Sequence, residues 1–222
     1  MAIPKRQQDA GAATYHHGDL REALVCSAEQ LLEKRGVTGL SLREAAKLAG
    51  VSHAAPYRHF RSKAQLLEAV AKAGFERLAS SLAMVRRDHP GDPRGQLIAA
   101  GHAYVEWALA NPERTRLMYG GMMKSDNIPE DLHDSAEACY QAMYEVIDEG
   151  RETGIFRGLD TDSMVVSGWS AVHGLTMLLL GSGKLDPTGP EQVQQLVSTV
   201  CKSVLFGIYD HNKIEQVNSI DD

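Results

Sequence analysis

The sequence predicts an all-α protein of nine helices, and two observations carry that prediction. Nearly every segment after residue 18 repeats its apolar residues at helical spacing. No stretch alternates with the period of two expected of a strand with one buried face.

The helices are placed near 18–35, 42–48, 52–59, 63–86, 93–109, 112–119, 129–152, 161–182 and 190–209. Ser41-Leu42-Arg43-Glu44 and Ser62-Lys63-Ala64-Gln65 fit the capping box, where a serine oxygen and a third-position acid or amide satisfy free backbone donors. Asp92-Pro93, Asn111-Pro112 and Gly189-Pro190 put proline at a first helical position, which lacks a partner for an N–H anyway. Arg86 to Gly91 is read as a surface loop. No linker follows the third helix, so a head over 18–62 is expected to sit directly on a body over 63–210. A disordered arm (1–17) and a tail (211–222) flank them.

Composition is that of a globular chain, with 222 residues, 43% hydrophobic and 23% charged. Cys26, Cys139 and Cys201 lie far apart with no metal-ligand spacing, so they are expected to be reduced core residues rather than zinc ligands. The start, Met1-Ala2-Ile3-Pro4-Lys5-Arg6, lacks the apolar run of a secretory signal, and a cytoplasmic location is expected. The net charge of −6 hides a gradient. Residues 1–65 carry 10 Lys+Arg against 6 Asp+Glu, net +4, and residues 66–222 carry 13 against 23, net −10. A basic head on an acidic body points to nucleic acid as the partner of the head alone.

Within 42–59 a short helix, a turn at Ala49-Gly50-Val51 and a second short helix opened by Ser52 form a helix-turn-helix layout. Leu42, Ala45, Ala46, Leu48, Val51 and the Tyr57-Phe60 stretch are expected to hold the pair together, leaving His53, Ala54, Ala55 and Arg58 outward. An outward stripe at the start of the second helix is what enters a major groove.

The stretch Leu24 to Leu67, and above all "AGVSHAAPYRHFRSK", resembles the tetracycline-repressor (TetR) family. That resemblance implies DNA binding through Ser52, His53, Ala54, Ala55, Tyr57, Arg58, His59 and Lys63. Tyr57, His59 and Lys63 would donate to phosphates and fix register, while His53, Ala54, Ala55 and Arg58 would lie near base edges. Pro56 departs from the family, which has an aliphatic residue there, and puts the local geometry of the reading helix in doubt.

In the body, 190–209 carries Val193, Leu196, Val197, Val200, Val204, Leu205 and Ile208 on one side. Ser163 to Gly183 has no charge at all; its serines and His173 argue against a membrane span and for a large core or an interface. "GWSAVHGLTMLLLGSG" also resembles a C-terminal domain type named for its Trp, His and Gly, here Trp169, His173 and Gly174. The family's last two long helices build a four-helix dimer interface, so 161–182 and 190–209 are expected to pair two copies across a palindromic operator. A Met- and aromatic-rich middle suits an adaptable pocket for a small apolar or aromatic effector, neutral or cationic. Trp107, Tyr144, Trp169 and His173 are the chosen ligand-binding residues, each pairing apolar surface with a polar atom.

A repressor released by its effector is the expected function, with a ligand-dependent activator or a metal-sensing regulator as alternatives. An enzyme is disfavoured because no phosphate loop or nucleophile setting occurs, and no cofactor or metal is called for.

Overall fold

A computed structural model of the chain describes residues 17–120, 128–181, 185, 187 and 189–206. Among them are eight α-helices, one short 3-10 turn and no strand. They are α1 (His17–Arg35), α2 (Leu42–Leu48), the 3-10 turn (Ala55–Arg58), α3 (Lys63–Asp88), α4 (Pro93–Ala110), α5 (Pro112–Tyr119), α6 (Glu130–Glu152), α7 (Thr161–Leu180) and α8 (Pro190–Phe206). Residues 1–16 of the expected arm, the tail and Ile208 lie outside the described residues, and His17 already begins α1.

The start signals act as their chemistry requires. Ser41 Oγ accepts from the Glu44 N–H and Ser62 Oγ from the Gln65 N–H, both at 3.2 Å. Gln65 Oε1 reaches back to the Arg61 N–H at 2.8 Å, one residue before the position a capping box uses. Proline opens α4, α5 and α8. Asp160 caps α7 through the Ser163 N–H at 2.8 Å, and that bond holds its carboxyl below the usual carboxylate range.

One apolar core runs through head and body. Leu24, Ala28 and Leu32 of α1 meet Phe60, Leu66 and Val70, and the buried side of α3 continues through Phe75, Leu78 and Leu82. Truncating such a leucine to alanine costs about 2–5 kcal/mol. Helices approach closely where side chains vanish: a Cβ on Gly74 would stand 2.5 Å from Met118 Sδ, which lets α5 lie against α3. Cys139 and Cys201 are buried and Cys26 half-buried, all three as free thiols; burial pushes the Cys139 thiol up to about 12.

The helix-turn-helix is built differently from its sequence expectation. Leu42, Ala45 and Ala46 are buried on one side of α2, but Leu48 and Tyr57 are exposed, so neither belongs to the apolar face assigned to them. Leu48 stands six residues after Leu42, about 240° round a helix of 3.6 residues per turn, and cannot share its stripe. Half-buried Ala49 and Val51 pack there instead, with Pro56 buried beyond them. Gly50, at φ +71°, supplies the left-handed turn between.

By length and composition α7 could cross a membrane. Here it packs on α4, α6 and α8 through Val165, Gly168, Val172, Leu175 and Thr176. Only Val197 and Cys201 of α8 are buried, while Val193, Leu196, Val200, Val204 and Leu205 are half-covered in the single chain.

Candidate functional site

The segment Ser52–His59 is expected as an α-helix and is instead a chain of turns around the 3-10 turn Ala55–Arg58. Pro56 is the physical reason. It has no N–H to give to the Ser52 carbonyl four residues back, and that carbonyl takes the Ala55 N–H at 3.0 Å, the tighter i→i−3 bond. The Pro56 carbonyl then accepts from both His59 and Phe60 at 2.9 Å. Ser52 does not cap the turn; Ala54 stands at its start without a side-chain bond.

This arrangement still presents Ser52, His53, Ala54, Tyr57 and Arg58 to solvent on one short segment, with Ala55, His59 and Lys63 half-buried beside them. Tyr57 is 60% exposed, unusual for a large aromatic in a folded head. Lys63 opens α3, and its Nζ donates to the Val37 carbonyl at 2.5 Å, which pins the side chain against the end of the head's first loop. An exposed phenol, a guanidinium and an anchored ammonium can each donate to a phosphate oxygen.

A second region lies in the body. Between α3, α6 and α7 a cavity of about 480 Å³ is walled by Phe75, Tyr119, Tyr140 and Trp169, with Glu137, His133, Val166 and Ser170 also lining it. The rings are ordered: Phe75 meets Tyr119 edge-on at 5.5 Å, and Tyr119 meets Trp169 at 5.9 Å. Behind them Tyr104 Oη shares a 2.7 Å hydrogen bond with His173 Nδ1, and His173 stacks tilted on Tyr119 at 4.7 Å. Burial pushes the Tyr104 and Tyr119 phenols well up and the His173 imidazole down, so all three stay neutral. The Tyr119 hydroxyl is close enough to Tyr104 to feel it, yet it is buried with no partner at hydrogen-bonding geometry.

Of the four ligand residues chosen from sequence, Trp169 forms a wall of the cavity and His173 stands behind it. Tyr144 reaches the site only through Tyr140, 6.4 Å away ring to ring. Trp107 lies outside the lining, and its carbonyl accepts from Asn111 Nδ2. Of the wider Met and aromatic set, Met84 is exposed on α3, and Met122 and Met123 lie outside the described residues. Phe75, Tyr119 and Tyr140 of that wider set line the cavity although they were not among the four chosen, and Glu137 was missed altogether. On α6, His133, Glu137 and Tyr140 recur at i, i+4, i+7, a polar and aromatic helix face that could have marked the wall.

The comparisons with known proteins match both regions. Residues 24–70 match the family profile described as bacterial regulatory proteins, tetR family, and residues 97–204 match the tetracyclin repressor-like C-terminal domain. The chain belongs to the TetR family. Its relatives include the HTH-type transcriptional regulator Rv1816 of Mycobacterium tuberculosis, 32% identical over 133 residues, which are 59% of this chain and 56% of that protein. The chain thus matches a little over half the length of such curated relatives. A solved protein of unknown function from Rhodococcus sp. RHA1 superposes with a TM-score of 0.78 at 34% identity, covering 89% of this chain and all of that one. The TetR-family regulator PfmR from Thermus thermophilus shares the fold at TM-score 0.64 and 19% identity, over 84% of this chain and 99% of that one. As a TetR-family chain the molecule is a regulator and not an enzyme; the first matched segment contains the exposed turn, and the second contains every residue lining the body cavity except Phe75, which lies between the two.

Proposed function

We propose that this TetR-family chain is a transcriptional repressor whose homodimer grips a palindromic operator and releases it when a small apolar or aromatic molecule fills the body cavity. The observation that carries the reading is the solvent-facing run Ser52, His53, Ala54, Tyr57 and Arg58 within residues 1–65, which carry a net charge of +4. Tyr57, His59 and Lys63 hold phosphates; His53 and Arg58 supply the polar base contacts, and Ala54 and Ala55 offer only apolar ones. One head reads too few bases alone, so two copies joined through α7 and α8 present their heads to half-sites about 34–36 Å apart.

Coupling has a material route. Tyr119 and Gly120, at the end of α5, line the cavity, and the other end of α5 is held by the head, where Glu33 of α1 accepts from the Glu113 and Arg114 amides at 3.1 and 3.0 Å. A ligand that shifts the end of α5 therefore pulls on α1, to the extent that it binds the two conformations unequally.

The test is selection from random duplexes followed by a salt titration. A palindromic site should emerge, with affinity falling steeply as salt rises. Arg58→Ala should cost about 1–3 kcal/mol and relax one position of the site, while Lys63→Ala should weaken all sequences alike. Enrichment of no site would remove the reading.

A further inference from the structure

The chemistry of the cavity wall points to a narrower class of effector than its volume alone. About 480 Å³ is within the range of small-molecule sites, and four aromatic rings, Phe75, Tyr119, Tyr140 and Trp169, supply its walls. A ring face is electron-rich and attracts a cation, most strongly where water is excluded. Acidic groups stand at the mouth. Glu137 lines it, one turn from Tyr140 on α6, and the Tyr140 hydroxyl donates to Asp162 Oδ1 at 3.0 Å from the facing helix α7. Desolvation raises the Tyr140 phenol above its ordinary value, and the Asp162 hydrogen bond and the charges of Asp162 and Glu137 add to the rise, so both carboxylates act on that ring.

Among the described residues, the lining carries no permanent cation to offset them. No lysine or arginine lines the cavity, and of the α5 guanidiniums Arg114 faces Glu29 while Arg116 is taken by Glu113 and the Leu180 carbonyl. His133 is the one basic group in the lining, and it lies exposed at the rim. The surrounding body, net −10 over residues 66–222, adds a field of the same sign as the two carboxylates.

We infer that the cavity takes an organic cation, an ammonium group carried on an apolar body, with the rings holding the cation and Glu137 selecting its charge. The inference rests on the proposed effector role of the cavity and names the chemistry it would recognise. An anionic effector of the same shape would face the same rings and carboxylates and be repelled.

The experiment uses the 222-residue chain and three probes that share a phenylalkyl body: 4-phenylbutyl-trimethylammonium, 4-phenylbutanol and 4-phenylbutyrate. Dissociation constants are read from Trp fluorescence and calorimetry for the native protein, Glu137→Gln and Val166→Trp, whose added ring fills the cavity mouth. Glu137 and Val166 are both exposed, so neither change threatens the core. The ammonium should bind about tenfold tighter than the alcohol, the carboxylate weakest of all, and Glu137→Gln should cut the ammonium-to-alcohol preference by about threefold or more. Binding that Val166→Trp abolishes but in which the alcohol or carboxylate equals the ammonium overturns the cation inference and leaves the effector role standing. A preference unmoved by Glu137→Gln overturns the part given to Glu137. Binding by none of the three, or binding indifferent to Val166→Trp, overturns both the inference and the effector role.

Discussion

Glu29 of α1 and Arg114 of α5 face each other at 3.7 Å across the junction of head and body, each side chain only 9% exposed. Arg77 of α3 joins them from the outside, with Nη1 2.6 Å from Glu29 Oε1. Arg114 Nε finds no hydrogen-bond partner; Glu33 Oε1, at 4.0 Å, is its nearest carboxylate oxygen. The head is thus tied to α5 by a charge that tolerates no loss of its partner.

Glu29→Gln should therefore destabilise the fold by about 3 kcal/mol, because removing one member of a buried pair strands the other. Urea unfolding would show a lower midpoint at unchanged slope. A loss below about 1 kcal/mol would mean that solvent already reaches Arg114. Replacing both residues by apolar ones of similar volume should recover much of the loss, since an intact buried pair adds little over good packing.

Pro56→Ala should lengthen the reading element. The new N–H can reach the Ser52 carbonyl, so the 3-10 turn can relax toward an α-helix over 52–59. Backbone carbon shifts at Ala54, Ala55 and Tyr57 should move to helical values, and the preferred operator should change at the bases facing His53 and Arg58. Unchanged shifts would show that packing around buried Pro56, and not its missing donor, sets the turn.

How far the sequence could be read depended on whether its signals are local. Capping serines, N1 prolines and the 3.6-residue repeat act within one turn of helix, and they placed seven of the eight α-helices to within about two residues at each end, an uncertainty that end assignment itself carries. The eighth, α8, ends at Phe206 within the described residues. Pro56 marked the reading helix as irregular, but its consequence depends on which carbonyl takes the orphaned bond. The cavity was half-legible: aromatic content announced it, whereas the selection of Trp169 over Trp107 depends on the crossing of α6 and α7. The Glu29–Arg114 pair left no sequence signal, because 85 residues separate its members.

Burial holds the His173 imidazole below its ordinary value of 6.5, so the unfolded chain takes that proton more readily than the folded one. Well above pH 6.5 both states are neutral at this residue and it contributes no pH dependence. As the pH falls through 6.5 the unfolded state is protonated first, and stability declines until the depressed folded value is passed. His173→Asn cannot titrate and should flatten the stability curve as the pH falls below the ordinary value of 6.5, relative to the native chain. The other histidines are common to both proteins, so parallel curves would show that His173 titrates as freely folded as unfolded.

The surface expected to join two copies is best tested at Leu178. Gly174 and Leu178 stand one turn apart on α7, on the side away from the buried Val165, Val172 and Thr176, and Leu178 is 45% exposed; Val166 and Ser170, on the two turns before them, line the cavity instead. Beside α7, α8 adds the half-covered Val193, Leu196 and Val200. The missing side chain of Gly174 beside Leu178 allows close helix approach, and a pair of such two-helix faces can bury the roughly 1,600 Å² of a standard stable interface. Val197 is no test of this surface: at 1% exposure it belongs to the core of the single chain, and a charge there unfolds the protein before it separates a dimer. Leu178→Asp places two like charges at the joint while leaving the core intact. Sedimentation should show a folded monomer with an unaltered helical spectrum, and binding to a palindromic duplex should drop to that of a half-site. A Leu178→Asp protein that still sediments as a dimer and still prefers the full palindrome would place the interface on another face.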